Sequence, residues 1–232
     1  MLMRDAEAGL EVLLLRRNSR AGFVPETYVF PGGRVDATDA EPGTLELVDD
    51  LTAHMAAERL GLAAADPPAI AYYVAAFREA FEETGILVGR RADGSPPPTA
   101  AFDPAVDRLR DDLMEDRLGF GEVLSRLECR VSGSAVEYFA HWITPRRQPR
   151  RFDTRFFAAR VATASVPIVD PREMTDARWI TPARALERHA GGALPMILPT
   201  VRTLEKLAGF SDVHDALGAL RRERVVTILP DD

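Results

Sequence analysis

Apolar positions along the chain fall into two periods. EVLLLRR (Glu11 to Arg17) and TYVF (Thr27 to Phe30) are short apolar or β-branched runs that predict strands on either side of the turn-like NSRAGFVPE. Phe30-Pro31-Gly32-Gly33 follows with more breakers than a turn requires. Such a run implies a sharp bend, or a backbone that must come close to another group. Beyond it, leucines and a methionine recur at helical spacing over Pro42 to Leu60, and Gly61 stands where a C-terminal cap belongs, so one helix is predicted there. AIAYYVAAFREAFEET predicts a second, central helix, with Asp66-Pro67-Pro68 as its N-cap and first turn and Gly85 as its stop.

Ile86 to Val88 reads as a new strand, and Ala92 to Pro104 is the most loop-like segment of the chain. Helices are predicted over Pro104 to Arg117, capped by Asp103, and over Gly121 to Leu127. VEYFAHWIT and DTRFFAARV alternate as the strands of a hairpin joined by the basic turn PRRQPRRF. TPARALERH and TVRTLEKLAGFSDVHDALGALRRE are helical in pattern, and VVTIL is a candidate last strand. No internal repeat is evident. Strands on both sides of the central helix predict an α/β (α+β) fold, a mixed sheet with helices on it. The expected organisation is a single domain over 1–232, with helical insertions at about 40–68 and about 100–130.

Composition narrows the function classes. The chain has 232 residues, 46% of them hydrophobic and 28% charged, so a sizeable core is expected. A net charge of −7 argues against a nucleic-acid or anionic-membrane surface. Cys129 is the only cysteine, which excludes an intrachain disulfide and a cysteine-rich metal site and favours a cytoplasmic location. Neither a signal-peptide core nor a membrane span is legible. A monomer and a homodimer are equally compatible with the sequence.

Chemistry concentrates at the end of the central helix. Glu79, Glu82 and Glu83 fall within about a 100° arc, opposite Tyr73, Phe77, Ala80, Phe81 and Thr84. Like charges at these spacings repel, and at a helix C-terminus the dipole disfavours them further. Only Arg78 is near enough in sequence to compensate. Such a cluster is either a solvated acidic helix end or a set of hard oxygen ligands for Mg²⁺ or Mn²⁺.

Taken with the glycine loop, the helix resembles the Nudix box: Gly, five residues, Glu, seven residues, then Arg-Glu-apolar-any-Glu-Glu-any-Gly-apolar. Arg78, Glu79, Ala80, Glu82, Glu83, Gly85 and Ile86 match the second half, and Gly33 matches the first. Asp39 stands where the box has Glu. Between Asp39 and Arg78 lie 38 residues in place of seven, an excess of 31. Split boxes of this kind occur in the Nudix branch related to the peroxisomal coenzyme A diphosphatases, which HWITP, RRFDTRFF, RWITP and LPTVRTLEKL also resemble.

That resemblance implies a Nudix fold and metal-dependent hydrolysis of a pyrophosphate in a small nucleotide-type molecule. It implies Mg²⁺ or Mn²⁺ on Glu79, Glu82, Glu83 and the Gly33 carbonyl, with Arg78 orienting the glutamates and Glu79 as candidate base. Asp39 receives no role. Two basic groups are candidates for substrate phosphates: Arg16, Arg17 and Arg20, and Arg146, Arg147, Arg150 and Arg151, with Arg17, Arg147 and Arg151 singled out. A coenzyme A signature of some Nudix enzymes is in register at Leu13, Leu14, Arg17 and Phe30 to Gly33. Leu15, Asn18, Gly22 and Glu26 replace its Thr, Ser/Ala, Arg and Gly. Coenzyme A or acyl-CoA therefore leads, ahead of ADP-ribose, NADH or dinucleoside polyphosphates, and a non-catalytic nucleotide sensor is the reading outside enzymes. Tyr72, Tyr73, Trp142, Phe156, Phe157 and Trp179, the four histidines and Cys129 read as structural, and Glu173 as a residue able to enter the site from a loop.

Overall fold

The computed structural model describes residues 1–19, 24–63, 66–148 and 150–230. Its main sheet is built from β1 (Leu2–Ala6), β2 (Gly9–Arg17), β3 (Tyr28–Val29), β7 (Val136–Ile143), β8 (Asp153–Arg160), β9 (Met174–Ile180) and β10 (Thr227–Ile228). The order is β10-β7-β8-β1-β2-β3, with β9 also on β2. β1 pairs parallel with β8 and β10 parallel with β7, while the other pairs are antiparallel, so the sheet is mixed.

β2 shows why the sheet lies between two helical layers. Its leucine run is buried on both faces: Leu13 and Leu15 join one apolar cluster, and Leu10, Val12 and Leu14 the other. The first cluster is capped by α3 (Ala69–Thr84), whose Tyr73, Phe77 and Phe81 are fully buried. Each such side chain contributes about 1.5–3 kcal/mol of transfer free energy. The second cluster is covered by α6 (Pro182–Ala190), α7 (Leu198–Leu207) and α8 (Val213–Arg222), through Ala185, Leu204, Leu207, Val213 and Leu220. The expected mixed sheet between helices is what forms.

Locally the expectations fare unevenly. The central helix runs as predicted to Gly85, whose φ of 67° is the left-handed cap and whose N–H donates to the Phe81 carbonyl at 2.8 Å. Its N-cap is Pro68 and not Asp66. Ile86 to Val88 forms no strand; the next one is β5 (Arg90–Arg91). The helices predicted over Pro104 to Arg117 and Gly121 to Leu127 form as α4 (Pro104–Met114) and α5 (Phe120–Arg126), and the Asp103 side chain accepts from the Ala105 N–H at 2.8 Å.

The single helix expected over Pro42 to Leu60 is broken into α1 (Pro42–Leu45), β4 (Val48–Asp49) and α2 (Ala53–Leu60). Val48 and Asp49 pair parallel with Val131 and Ser132 of β6 (Cys129–Ser132), which also pairs with β5. Asp50 takes a φ of +57° and Thr52 starts α2 by accepting from the Met55 N–H. Long-range pairing has overridden helical spacing. The stretches 40–68 and 100–130 thus lock together: a Cβ on Gly121 of α5 would lie 2.6 Å from the Thr44 hydroxyl oxygen of α1.

Candidate active site

The glycine loop and the acidic end of α3 meet although a long segment separates them. Arg78 joins them. Its side chain is only 5% exposed, and that of Asp39 is fully buried. Arg78 Nε donates to Asp39 Oδ1 at 2.8 Å and Nη2 to Asp39 Oδ2 at 3.0 Å, a bidentate pair. Asp39 Oδ2 also accepts from the Asp36 N–H at 2.8 Å, which fixes a 3₁₀ turn over Ala37–Ala40. Arg78 Nη2 further donates to the Arg34 carbonyl at 2.7 Å. Asp39 therefore has a job: it anchors the guanidinium from the side opposite the glutamates.

From its other edge, Arg78 Nη1 donates to Glu79 Oε1 at 3.0 Å and Glu82 Oε2 at 2.8 Å. Glu83 turns to the loop, where its Oε2 accepts from the Gly32 N–H at 2.7 Å. Gly32 has a φ of +150°, a conformation that favours glycine. At Gly33 the reason is proximity. A Cβ there would stand 2.4 Å from Glu79 Oε1, so any side chain would displace that carboxylate.

Burial raises all three glutamate pKa values. Glu83 rises to about 8, through burial and then the charge of Glu79, with the Gly32 N–H opposing. Glu82 rises to about 7 through burial, which Arg78 opposes. Glu79 is raised by burial too, again against the pull of Arg78. Burial alone would lower the pKa of Arg78 itself, and its carboxylate partners, Asp39 first, more than reverse that. An acidic surface gripping its protons in this way is one that a cation would relieve.

Among the described residues no three acidic, histidine or cysteine side chains are already gathered to hold a metal. Arg78 Nη1 is shared by Glu79 and Glu82, while Glu83 is held by the Gly32 N–H. The donor chemistry nonetheless fits a hard divalent ion: carboxylate oxygens on one helix face, beside a loop stripped of side chains by two glycines.

Arg17, at the end of β2, lies within electrostatic reach of Glu83, and its Nε is buried with no hydrogen-bond partner among the described residues. Glu173, just before β9, also acts on Glu83, and its carbonyl accepts from the Asn18 N–H at 2.8 Å. Because β8 runs parallel to β1 and β2 antiparallel to it, the 144–152 turn and Arg17 lie at the same end of the sheet. Arg147 is exposed in that turn, and Arg151 donates from Nε to the Thr144 carbonyl at 3.1 Å. Arg20 and Gly22 lie outside the described residues. Tyr73 packs against Phe157 with centroids 4.7 Å apart and rings tilted by 60°, and His141 bridges Asp153 and Thr227, whereas His54 and His214 are exposed. Cys129 is buried, and burial raises its pKa. No helix among the described residues is long and apolar enough to cross a membrane.

Sequence reasoning missed Asp39 as the partner of Arg78, and Arg110, whose Nε donates to the Glu82 carbonyl at 2.7 Å. The Glu-to-Asp exchange hid the first. The second comes from another helix, and no local spacing announces it.

Comparison with known proteins gives a consistent result. A family model described as the NUDT19 Nudix domain matches residues 3–207. The chain is 31% identical over 243 residues to the acyl-coenzyme A diphosphatase NUDT19 of Gallus gallus, covering 88% of this chain and 63% of that protein. To the Homo sapiens protein of the same name it is 29% identical over 263 residues, covering 97% and 69%. To the putative nudix hydrolase 7 of Caenorhabditis elegans it is 31% identical over 201 residues, covering 87% and 57%. The chain thus spans less than two thirds of the chicken and nematode relatives and little more than that of the human one. The crystal structure of a NUDIX hydrolase from Alicyclobacillus acidocaldarius superposes with a TM-score of 0.75 at 27% identity, over 94% of this chain and 92% of that one.

Proposed function

The chain belongs to the Nudix family, as a NUDT19-type Nudix domain, and from that premise we propose that it hydrolyses the pyrophosphate of coenzyme A or acyl-CoA. The products are 3′,5′-ADP and phosphopantetheine or its acyl form. The observation that carries this reading is the closed Arg78–Asp39 pair, which brings the Gly33 loop against Glu79 across the whole insertion.

In this reading Glu79, Glu82, Glu83 and the Gly33 carbonyl hold Mg²⁺ or Mn²⁺. When bound, such an ion neutralises charge on the pyrophosphate oxygens and makes water nucleophilic at neutral pH. Arg78 favours the ionised forms of Glu79 and Glu82 and orients both, itself locked by Asp39. Glu79, which Arg78 holds by one oxygen, accepts the proton of the attacking water. Arg17 has an unsatisfied buried N–H to offer a substrate phosphate, and Arg147 and Arg151 supply positive charge from the same sheet end. The relatives' names carry the choice of substrate class. We further propose that 1–232 acts as a single domain, as a monomer or homodimer, in the cytoplasm, on a small molecule and not on nucleic acid.

The test is a product screen with Mg²⁺ and with Mn²⁺ over CoA, acyl-CoA, ADP-ribose, NADH and dinucleoside polyphosphates. Release of 3′,5′-ADP from CoA species is expected. Cleavage of ADP-ribose with no turnover of CoA species would refute the substrate assignment and leave the metal site standing.

A further inference from the structure

We propose that Arg110, carried by α4, is a positioning residue for the acidic end of α3. This rests on reading Glu79, Glu82 and Glu83 as the metal-binding set. Arg110 is 4% exposed, so a full guanidinium charge has been taken into the interior. Its side-chain ion pair there is modest: Nη1 lies 3.4 Å from Asp107, whose own side chain is 42% exposed. Asp170 is within electrostatic reach, and Nη2 is buried with no hydrogen-bond partner among the described residues. A charge kept at that cost needs a reason beyond packing.

The last turn of α3 supplies one. A helix leaves its final carbonyls without amide partners. Gly85 N–H goes to Phe81, whereas the Ile86 N–H, which would reach the Glu82 carbonyl in a continuing helix, donates to the Thr84 hydroxyl at 3.2 Å. Arg110 Nε takes its place on the Glu82 carbonyl at 2.7 Å. One side chain therefore closes the turn from which Glu82 and Glu83 project, and puts a positive charge where the helix dipole and three carboxylates are all negative. Arg78 holds Glu79 and Glu82 by their heads; Arg110 holds the backbone of Glu82. The stretch inserted at 100–130 thereby acts on the site without touching substrate.

Two variants test this, Arg110→Met and Arg110→Lys, with Glu83→Gln as reference, each titrated with Mn²⁺ in the absence of substrate and followed by electron paramagnetic resonance. Arg110→Met leaves the Glu82 carbonyl without its partner, so it is expected to stay folded with a melting temperature a few degrees below wild type. Its Mn²⁺ affinity is expected to fall about tenfold or more, as for other residues that orient metal ligands from behind. Turnover of CoA should lose kcat with KM unchanged, and Arg110→Lys should recover most of both losses. Wild-type Mn²⁺ affinity in Arg110→Met would overturn the proposal, as would Lys being no better than Met. A variant Arg110→Met that does not fold would assign the residue to general stability instead, which also overturns it. Should Glu83→Gln keep wild-type Mn²⁺ binding, the metal-binding reading of α3 itself fails; loss there with none in Arg110→Met fails the Arg110 proposal alone.

Discussion

Asparagine in place of Asp39 isolates the pair that joins the two halves of the site. The exchange keeps shape and volume but removes the charge, and it turns one acceptor oxygen into an NH₂ that faces a guanidinium donor. The pair is buried on both sides, with Arg78 at 5% and Asp39 at 0% side-chain exposure, so water cannot replace the lost partner. Breaking one side of a buried pair costs roughly 3–5 kcal/mol. Glu79, Glu82 and Asp36 also lie within 3.4 Å of Arg78 and offset part of that, so the lower end, about 3 kcal/mol, is the expectation. For a chain of this length that is a fall of about 6–12 °C in melting temperature. Turnover should fall as well, because an unanchored Arg78 is free to follow Glu79 and Glu82. Urea denaturation and a phosphate-release assay read the two effects on one preparation. A variant with the wild-type midpoint and wild-type kcat/KM would show that the pair neither holds the loop nor orients the glutamates.

Gly33→Ala should lower turnover at least a hundredfold with little change in melting temperature, since the new methyl group would occupy the place of the Glu79 carboxylate; unchanged kinetics would refute the close approach. Glu83→Gln should abolish most hydrolysis while circular dichroism stays native. The same residue predicts a pH dependence of metal-free stability. Its folded pKa, about 8, lies above the ordinary carboxylate value of 4.5, so between those limits the folded state holds the extra proton and stability falls as pH rises. Denaturation from pH 5 to 8 should show this decline in the wild type and a flatter profile in Glu83→Gln, and a wild-type profile rising over that range would contradict it. Arg17→Ala should raise KM for CoA about tenfold and leave kcat within a few-fold, measured by steady-state kinetics.

The sequence showed the site more clearly than its supports. Helix α3 was legible because its apolar period, its terminal glycine and its acidic stripe all lie in one continuous stretch. Pairing decided elsewhere was not legible: Val48 and Asp49 look helical until their β6 partners, 83 residues downstream, claim them. Asp39 was hidden for a related reason. One methylene short of the expected residue, it could be judged only against the depth to which Arg78 reaches. Arg110 belongs to a helix whose own pattern is ordinary amphipathic, and its importance comes from the carbonyl it meets.

The 38 residues between Asp39 and Arg78 bear on how such a box could be opened at all. Closing a flexible loop grows costlier only with the logarithm of its length, so stretching the segment from seven residues to 38 costs about 1.5 kcal/mol of chain entropy. Breaking the buried pair between the ends costs more than that, roughly 3–5 kcal/mol. The gap between the loop and the helix is therefore a port where new sequence can enter at small thermodynamic cost. The constraint on what enters is geometric: its two ends must return to within hydrogen-bonding distance of each other.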